Sequence, residues 1–237
     1  AHNTALRYAR GFLFMTLDAG DLLLPEGLGQ LKKHWEDLPP AEKPRVAGIS
    51  ALCLKPDGTV SGDRYPEDGL LTTYLELNRE HSISGEKRQA LRTSILKRYP
   101  YPRIPGEKHV RPTLILKRMA HEFKMKFVNV PVQVNRREEN GITANIDWYR
   151  MKNPGGLRLY FLEEITLHGS FHKLPGLYSD YHKYIRYSLH SGVGLPSQLR
   201  EVPNPLIWIA AVPGGAMKWC VDLLRWKRRR IHPDRRQ

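Results

Sequence analysis

The sequence predicts an α/β fold, because segments with the length and apolar content of strands alternate with segments of helical periodicity. A continuous apolar run at residues 12–24 is too short for a membrane span and is typical of a strand buried on both faces. Residues 25–37 have apolar side chains at helical spacing, and further strands are predicted at residues 46–54 and 126–134. These observations together favour one sheet with helices packed against it.

The remaining elements follow from turn and breaker residues. Residues 56–58 read Pro-Asp-Gly, which predicts a turn and places the strand before it in a hairpin at the sheet edge. Residues 70–79 are predicted to be helical. Prolines at 100, 102 and 105 exclude regular structure and predict a stiff loop. This loop leads into a helix expected at residues 113–123.

Composition and charge indicate a globular protein with an anionic partner. The chain is 41% hydrophobic and 26% charged, and 38 Lys+Arg against 24 Asp+Glu give a net charge of +14. Phosphate-rich donors, anionic lipids and nucleic acids fit that charge, but no nucleic-acid-binding motif occurs in the sequence. Cys53 and Cys220 are far apart, which favours a reducing compartment over a disulfide framework or a zinc site.

Two carboxylates, Asp18 and Asp21, lie within the first apolar run. In open α/β sheets ligands bind at the carboxyl ends of the strands, so this pair suggests a divalent cation that bridges to phosphates. The alternative is that Asp18 ends the strand and Asp21 caps the helix that begins at Pro25. Both interpretations remain open at this point.

Two parts of the chain carry a family resemblance. Residues 3–11 (NTALRYARG), the apolar run and residues 18–21 (DAGD) resemble the helix, the strand and the terminal D-A-D-D motif of glycosyltransferase family 2. Residues 99–108, the strand at 126–134 and residues 139–145 (ENGITAN) resemble its acceptor half. The resemblance covers residues 1–155.

The resemblance implies a partial GT-A (Rossmann-like) mixed sheet flanked by helices, without the N-terminal units that hold the nucleotide. Residues 1–155 would belong to this domain and residues 156–237 to a helical extension. The implied activity is inverting, hexosyltransferase-type transfer of a sugar from a nucleotide-diphosphate donor to a carbohydrate or lipid-linked acceptor. Synthesis of cell-surface polysaccharide or glycolipid is the expected context, and Mn²⁺ or Mg²⁺ the expected cofactor.

Particular residues receive roles from this resemblance. Asp18 and Asp21 are expected to bind the metal, and Glu107 is expected to be the general base that deprotonates the acceptor hydroxyl. Substrate contacts are assigned to Asn3, Asp18, Lys108 and Arg118. For Glu107 the alternative is an acid that stabilises a helix N-terminus, and His109 is a possible substitute base.

Two departures from the family pattern support an alternative function. Gly20 stands where relatives carry a third acid, and Arg111-Pro112-Thr113 replaces a segment that includes a second acid. A catalytically degenerate, transferase-like interaction domain is therefore the alternative to an active enzyme.

The C-terminal segment predicts an interfacial helix. Residues 206–212 are strongly apolar, residues 213–215 are expected to break the helix, and arginines and a lysine dominate residues 225–236. Because Lys218 and Asp222 interrupt the apolar segment, we expect peripheral attachment to an anionic membrane at its inner, cytoplasmic face, with Trp208, Trp219 and Trp226 inserted. The alternative is a docked helix with a solvated basic end.

Overall fold

The computed structural model describes residues 1–136 and 146–231, with side chains as far as residue 226. It divides these residues into an α/β unit (1–102 and 112–136) and a helical unit (103–111 and the residues from 146). The predicted α/β class is confirmed as a mixed sheet flanked by helices. The division predicted after residue 155 stays a prediction, and in the structure residues 103–111 group with the helices.

Six strands form the sheet of the α/β unit. They are β1 (Leu13–Phe14), β2 (Leu22–Leu23), β3 (Val46–Leu54), β4 (Leu70–Thr72), β5 (Lys87–Arg92) and β6 (Lys124–Val134). Their order is β1-β5-β3-β6-β2, and β4 also pairs with β6. Strands β3 and β6 are parallel, whereas the other pairs are antiparallel.

The two long predicted strands are confirmed as β3 and β6. The residues of β3 from Val46 to Cys53 are buried, which is typical of a continuous apolar run at the centre of a sheet. The edge position predicted for β3 is wrong, because β5 and β6 pair with it on either side. The turn after it is confirmed: Gly58 has a φ of +82°, and Leu54 bridges Val60.

The prediction that residues 12–24 form one strand buried on both faces is wrong. Only β1 and β2 are strands in this run, each two residues long, and they lie at opposite ends of the strand order. Residues 15–21 connect the two. The physical reason lies in this connection, where Gly20 adopts a φ of 91° and Asp21 N–H donates to Asp18 O at 3.1 Å, which turns the chain out of a strand.

Helices cover the sheet. They are α1 (His2–Tyr8), α2 (Gly27–Glu36), α3 (Tyr74–Glu80), α4 (Thr93–Leu96) and α5 (Thr113–Met119). The predicted helix at 70–79 begins later than expected, because residues 70–72 form β4 and Thr73 then caps α3 through a capping box with Glu76. Phe127 and Ile115 belong to the larger core cluster and Leu31 to a second one.

The helical unit contains α6 (Ile146–Met151), α7 (Pro154–Thr166), α8 (Leu174–His190), α9 (Leu195–Glu201) and α10 (Pro205–Ile231). Helix α8 contacts both α7 and α10. The break predicted at residues 213–215 is wrong, since α10 is continuous through Pro213. The absence of Cβ atoms on Gly214 and Gly215 lets α10 approach α8 closely, because a Cβ on Gly215 would lie 2.8 Å from Ile185 Cβ. This packing outweighs the local breaker signal.

One expectation about α10 is wrong, and its interfacial attachment stays a prediction. Trp208 is only 6% exposed, so the prediction that its ring inserts into a membrane is wrong for this arrangement. Among the described residues, one helical segment, Pro205–Trp226, is long and apolar enough to cross a membrane by length and composition. Core helices of soluble proteins pass the same test, so peripheral attachment stays a prediction.

Candidate functional site

The acid-bearing connection between β1 and β2 is shaped by Gly20. A φ of 91° is strained for any residue with a Cβ, so glycine is the residue suited to this position. The third acid of the family pattern is therefore replaced by a turn residue. The turn carries Asp21 into β2, whose first residue, Leu22, pairs with Val134 at the carboxyl end of β6.

Asp21 is held firmly at this end of the sheet. Its Oδ2 accepts a hydrogen bond from Gln133 Nε2 at 2.6 Å, and its Oδ1 accepts one from the backbone N–H of Arg136 at 2.9 Å. The side chain of Asp21 is only 7% exposed, whereas that of Asp18 is 80% exposed. One carboxylate is thus fixed by the fold and the other is open to solvent.

Arg88 links the two acids. Its Nη2 atom lies 3.5 Å from Asp21 Oδ2 and 3.7 Å from Asp18 Oδ2, while Nη1 donates to Thr16 O at 2.8 Å. Strand β5 positions this guanidinium because Arg88 pairs with Ala51 on the neighbouring strand β3. The structure therefore brings Asp18 and Asp21 together around one buried positive charge.

A polar network continues from this group. Gln133 Nε2 also donates to Asn135 Oδ1 at 2.5 Å, and Asn135 Nδ2 donates to Glu86 Oε2. Within the described parts of the chain, Gln133 Oε1 and Arg88 Nε are buried without a hydrogen-bond partner. Buried polar atoms normally have partners, so these two are available to a ligand or to residues outside the described ranges.

The donor set fits a divalent cation in part. Carboxylate and amide oxygens suit Mn²⁺ and Mg²⁺, and exposed Asp18 is free to bind one. Both oxygens of Asp21 already accept hydrogen bonds from N–H groups, so its contacts suit a residue that orients the site better than a second ligand. Arg88 supplies a positive charge beside both.

Glu107 lies in the helical unit, at the start of a different helix from the one expected. The sequence placed it ahead of the helix at 113–123, but its carboxylate oxygens accept hydrogen bonds from Gly155 N–H at 2.6 Å and Gly156 N–H at 2.8 Å in α7. Asn153 Oδ1 accepts another from Lys108 N–H at 2.6 Å. A carboxylate on the N-terminal amides of a helix satisfies unpaired donors and complements the helix dipole.

His109, two residues after Glu107, packs against Tyr149 in an edge-to-face arrangement, with ring centroids 5.3 Å apart. Burial, together with the positive charges of Arg150 and Arg111, lowers the pKa of His109 from its usual value. The imidazole is thus favoured in the neutral form, which can accept a proton.

The other expected substrate residues are separated. Asn3 exchanges two hydrogen bonds with the backbone of Tyr101, donating from Nδ2 at 2.8 Å and accepting at Oδ1 at 3.0 Å, so it anchors the proline-containing loop. Lys108 is exposed in the helical unit, and Arg118 belongs to α5 of the α/β unit. Of the expected residues, only Asp18 and Asp21 share contacts within the described part of one unit.

A second group with metal-ligating chemistry lies in the helical unit. His172 Nε2 is 2.8 Å from Glu164 Oε2, and His172 Nδ1 is 3.4 Å from Asp180 Oδ2. The ligand atoms lie within 4.8 Å of one another, so the group could hold a metal ion. Lys183 Nζ also donates to Asp180 Oδ1 at 3.1 Å, and this contact together with the two imidazole contacts fits a structural polar cluster equally well.

Sequence reasoning missed Arg88 and Gln133. Both lie in strands, where a polar residue at a buried position is the signal that could have revealed them, since buried polar groups need partners.

Comparison with models of protein families finds no match, and comparison with curated proteins finds no significant match either. The functional argument therefore depends on the residues themselves.

Proposed function

We propose that the chain is part of an inverting glycosyltransferase of family 2 with a GT-A domain. In this proposal a sugar passes from a nucleotide-diphosphate donor to an acceptor hydroxyl on a carbohydrate or a lipid-linked carbohydrate. The observation that carries it is the pairing of Asp18 and Asp21 around Arg88 at the end of the sheet, beside the carboxyl end of β6. That edge is where ligands bind in open α/β sheets.

The proposed roles follow from exposure and hydrogen bonding. Asp18 would hold a divalent cation, which when bound neutralises the departing diphosphate. Asp21, fixed by Gln133 and Arg136, orients the loop that carries Asp18. Arg88 supplies a pre-positioned positive charge for the donor phosphates, because a guanidinium binds oxyanions through several N–H groups at once.

Deprotonation of the acceptor hydroxyl is assigned to Glu107, with His109 as the second candidate. The two helix amides that donate to Glu107 occupy both of its carboxylate oxygens. The lowered pKa of His109 suits a proton acceptor at neutral pH.

A second candidate function is a catalytically degenerate, transferase-like interaction domain. The observation that favours it is the same pair of Glu107 contacts, which give this acid a complete structural role in capping α7. In either case we place the protein in the cytoplasm at the inner face of a membrane.

Transfer assays separate the two candidates. The full-length protein would be incubated with UDP-, GDP- and dTDP-linked hexoses, with Mn²⁺ or with a chelator, and release of the nucleoside diphosphate measured. Metal-dependent release that Asp18→Asn abolishes supports the enzyme. Donor binding without release in any combination supports the degenerate domain.

A further inference from the structure

Helix α10 carries an apolar stripe along its solvent-exposed side. The stripe consists of residues at i, i+3, i+4, i+7, i+11, i+14 and i+18, namely Leu206, Ile209, Ala210, Pro213, Met217, Cys220 and Leu224. All are exposed, and the four largest have 56–78% of their surface accessible. At about 100° per residue they occupy an arc of roughly 100°, and no charged residue between 206 and 224 falls inside it.

The opposite side of α10 is the one that packs on α8. Trp208, Ala211 and Asp222 are buried there. Asp222 accepts hydrogen bonds from Arg186 Nε at 2.5 Å and Nη2 at 2.9 Å, and His190 Nε2 lies 3.1 Å from it. The acid that interrupts the apolar sequence therefore does not interrupt the stripe.

Cations flank the stripe. Lys218 and Arg225 are exposed and lie at about 110–130° from its centre, both on the same side. The sequence continues with a lysine and three arginines at 227–230. Long cationic side chains beside an apolar surface extend their charged ends to the level of lipid headgroups.

Pro213 limits how deeply the stripe can enter a bilayer. Proline has no N–H, so the carbonyl of Ile209 lacks its helical donor. An unpaired carbonyl is strongly unfavourable in the hydrocarbon core, whereas water and headgroups satisfy it at the interface. The stripe is thus suited to shallow insertion parallel to the membrane plane.

We propose that this stripe, carried by Leu206, Ile209, Met217 and Leu224, inserts into the headgroup boundary of an anionic bilayer. This proposal goes beyond glycosyl transfer and does not depend on it. Charge selects lipid over a second copy of the chain. A second copy of the chain, which carries a net charge of +14, offers Lys218 and Arg225 no excess of negative charge, whereas anionic headgroups attract them.

Flotation of the 237-residue chain with liposomes tests the proposal. The vesicles contain phosphatidylcholine with or without about 30 mol % phosphatidylserine. The test variant is Leu206→Gln with Met217→Gln, and the matched control is Leu28→Gln, an exposed leucine of α2. Circular dichroism and light scattering establish folding and oligomeric state.

We expect the parent and Leu28→Gln to float with anionic vesicles, and the stripe variant to lose at least about tenfold in partitioning. Vesicles without phosphatidylserine should bind the parent more weakly. The proposal is overturned if the parent stays in solution with anionic vesicles, or if the folded stripe variant floats as well as the parent. A parent dimer that the stripe variant converts to a monomer, without vesicle binding by either, would assign the stripe to a second copy instead.

Discussion

Buried charges have different surroundings in the two units. In the helical unit Asp222 is buried and paired with Arg186, and His190 Nε2 lies 3.1 Å from it. In the α/β unit the charged group at Arg88 lies at the end of a sheet, includes solvent-exposed Asp18 and contains buried polar atoms without described partners. We call the first the closed group and the second the open group; the first suits a role in packing, and we propose that the second binds a ligand.

The largest effect on stability is expected at the closed group. Asp222→Ala removes a buried acid and leaves half-buried Arg186 without its partner, which should lower the free energy of unfolding by about 3–5 kcal/mol. Chemical denaturation followed by circular dichroism measures this loss. The control is Asp147→Ala, which removes an exposed acid 3.7 Å from Arg150 and should change stability by less than about 1 kcal/mol. Equal effects of the two variants would contradict the assignment.

The open group should affect activity more than stability. Arg88→Gln removes the positive charge between the two acids, and we expect turnover by the full-length protein to fall by about 10²–10³-fold. Arg7→Gln, at an exposed position in α1, is the control and should retain full turnover. Steady-state kinetics measures both, and a strongly destabilised but fully active Arg88→Gln protein would make the site structural.

A variant at Glu107 distinguishes a role in capping α7 from a role in catalysis. Glu107→Gln weakens two charge-assisted hydrogen bonds to α7, so we expect a loss of about 1–3 kcal/mol in unfolding free energy if its role is capping. A general base would instead show a fall in turnover of about 10²-fold or more with little change in stability. Measuring both quantities on one variant distinguishes these outcomes.

The smallest expected effect is on the pH dependence of the free energy of unfolding. Burial lowers the pKa of His182, and burial with nearby arginines lowers that of His109. The unfolded chain therefore binds these protons first as pH falls. The free energy of unfolding is therefore highest above the usual histidine pKa of about 6.5 and decreases as pH falls below it. Denaturation between about pH 7.5 and pH 5 should show this decline, with a shallower slope for His182→Gln. An identical slope would contradict it.

The sequence allowed the long elements to be predicted because their signals are strong and local. Strand β3 is a largely apolar run, β6 alternates apolar with polar residues along much of its length, and α2 follows from helical spacing. The prediction for residues 12–24 was wrong because apolar content does not reveal a turn. Gly20 forms a turn in the connection between β1 and β2, which lie at opposite ends of the strand order. The break predicted in α10 failed because packing of Gly214 and Gly215 on α8 is a tertiary effect.

The candidate site could be predicted only in part. Asp18 and Asp21 were visible as acids in an apolar segment, but Arg88 and Gln133 reach them from strands far away in sequence. Pairing of β5 with β3 and of β2 with β6 brings these residues together, and no local pattern encodes that register. The role of Glu107 at α7 depends likewise on a contact between residues 107 and 155–156.

The most direct test of the central claim, that the open acid group is a donor site, is calorimetric binding of sugar nucleotides in the presence of Mn²⁺. The full-length parent is compared with Asp18→Asn and with Asp37→Asn, an exposed acid at the end of α2. The account predicts that the parent and Asp37→Asn bind a UDP-, GDP- or dTDP-linked hexose, and that Asp18→Asn binds at least about tenfold more weakly. Equal affinity of Asp18→Asn and the parent, or a parent that binds none of these donors, would contradict it.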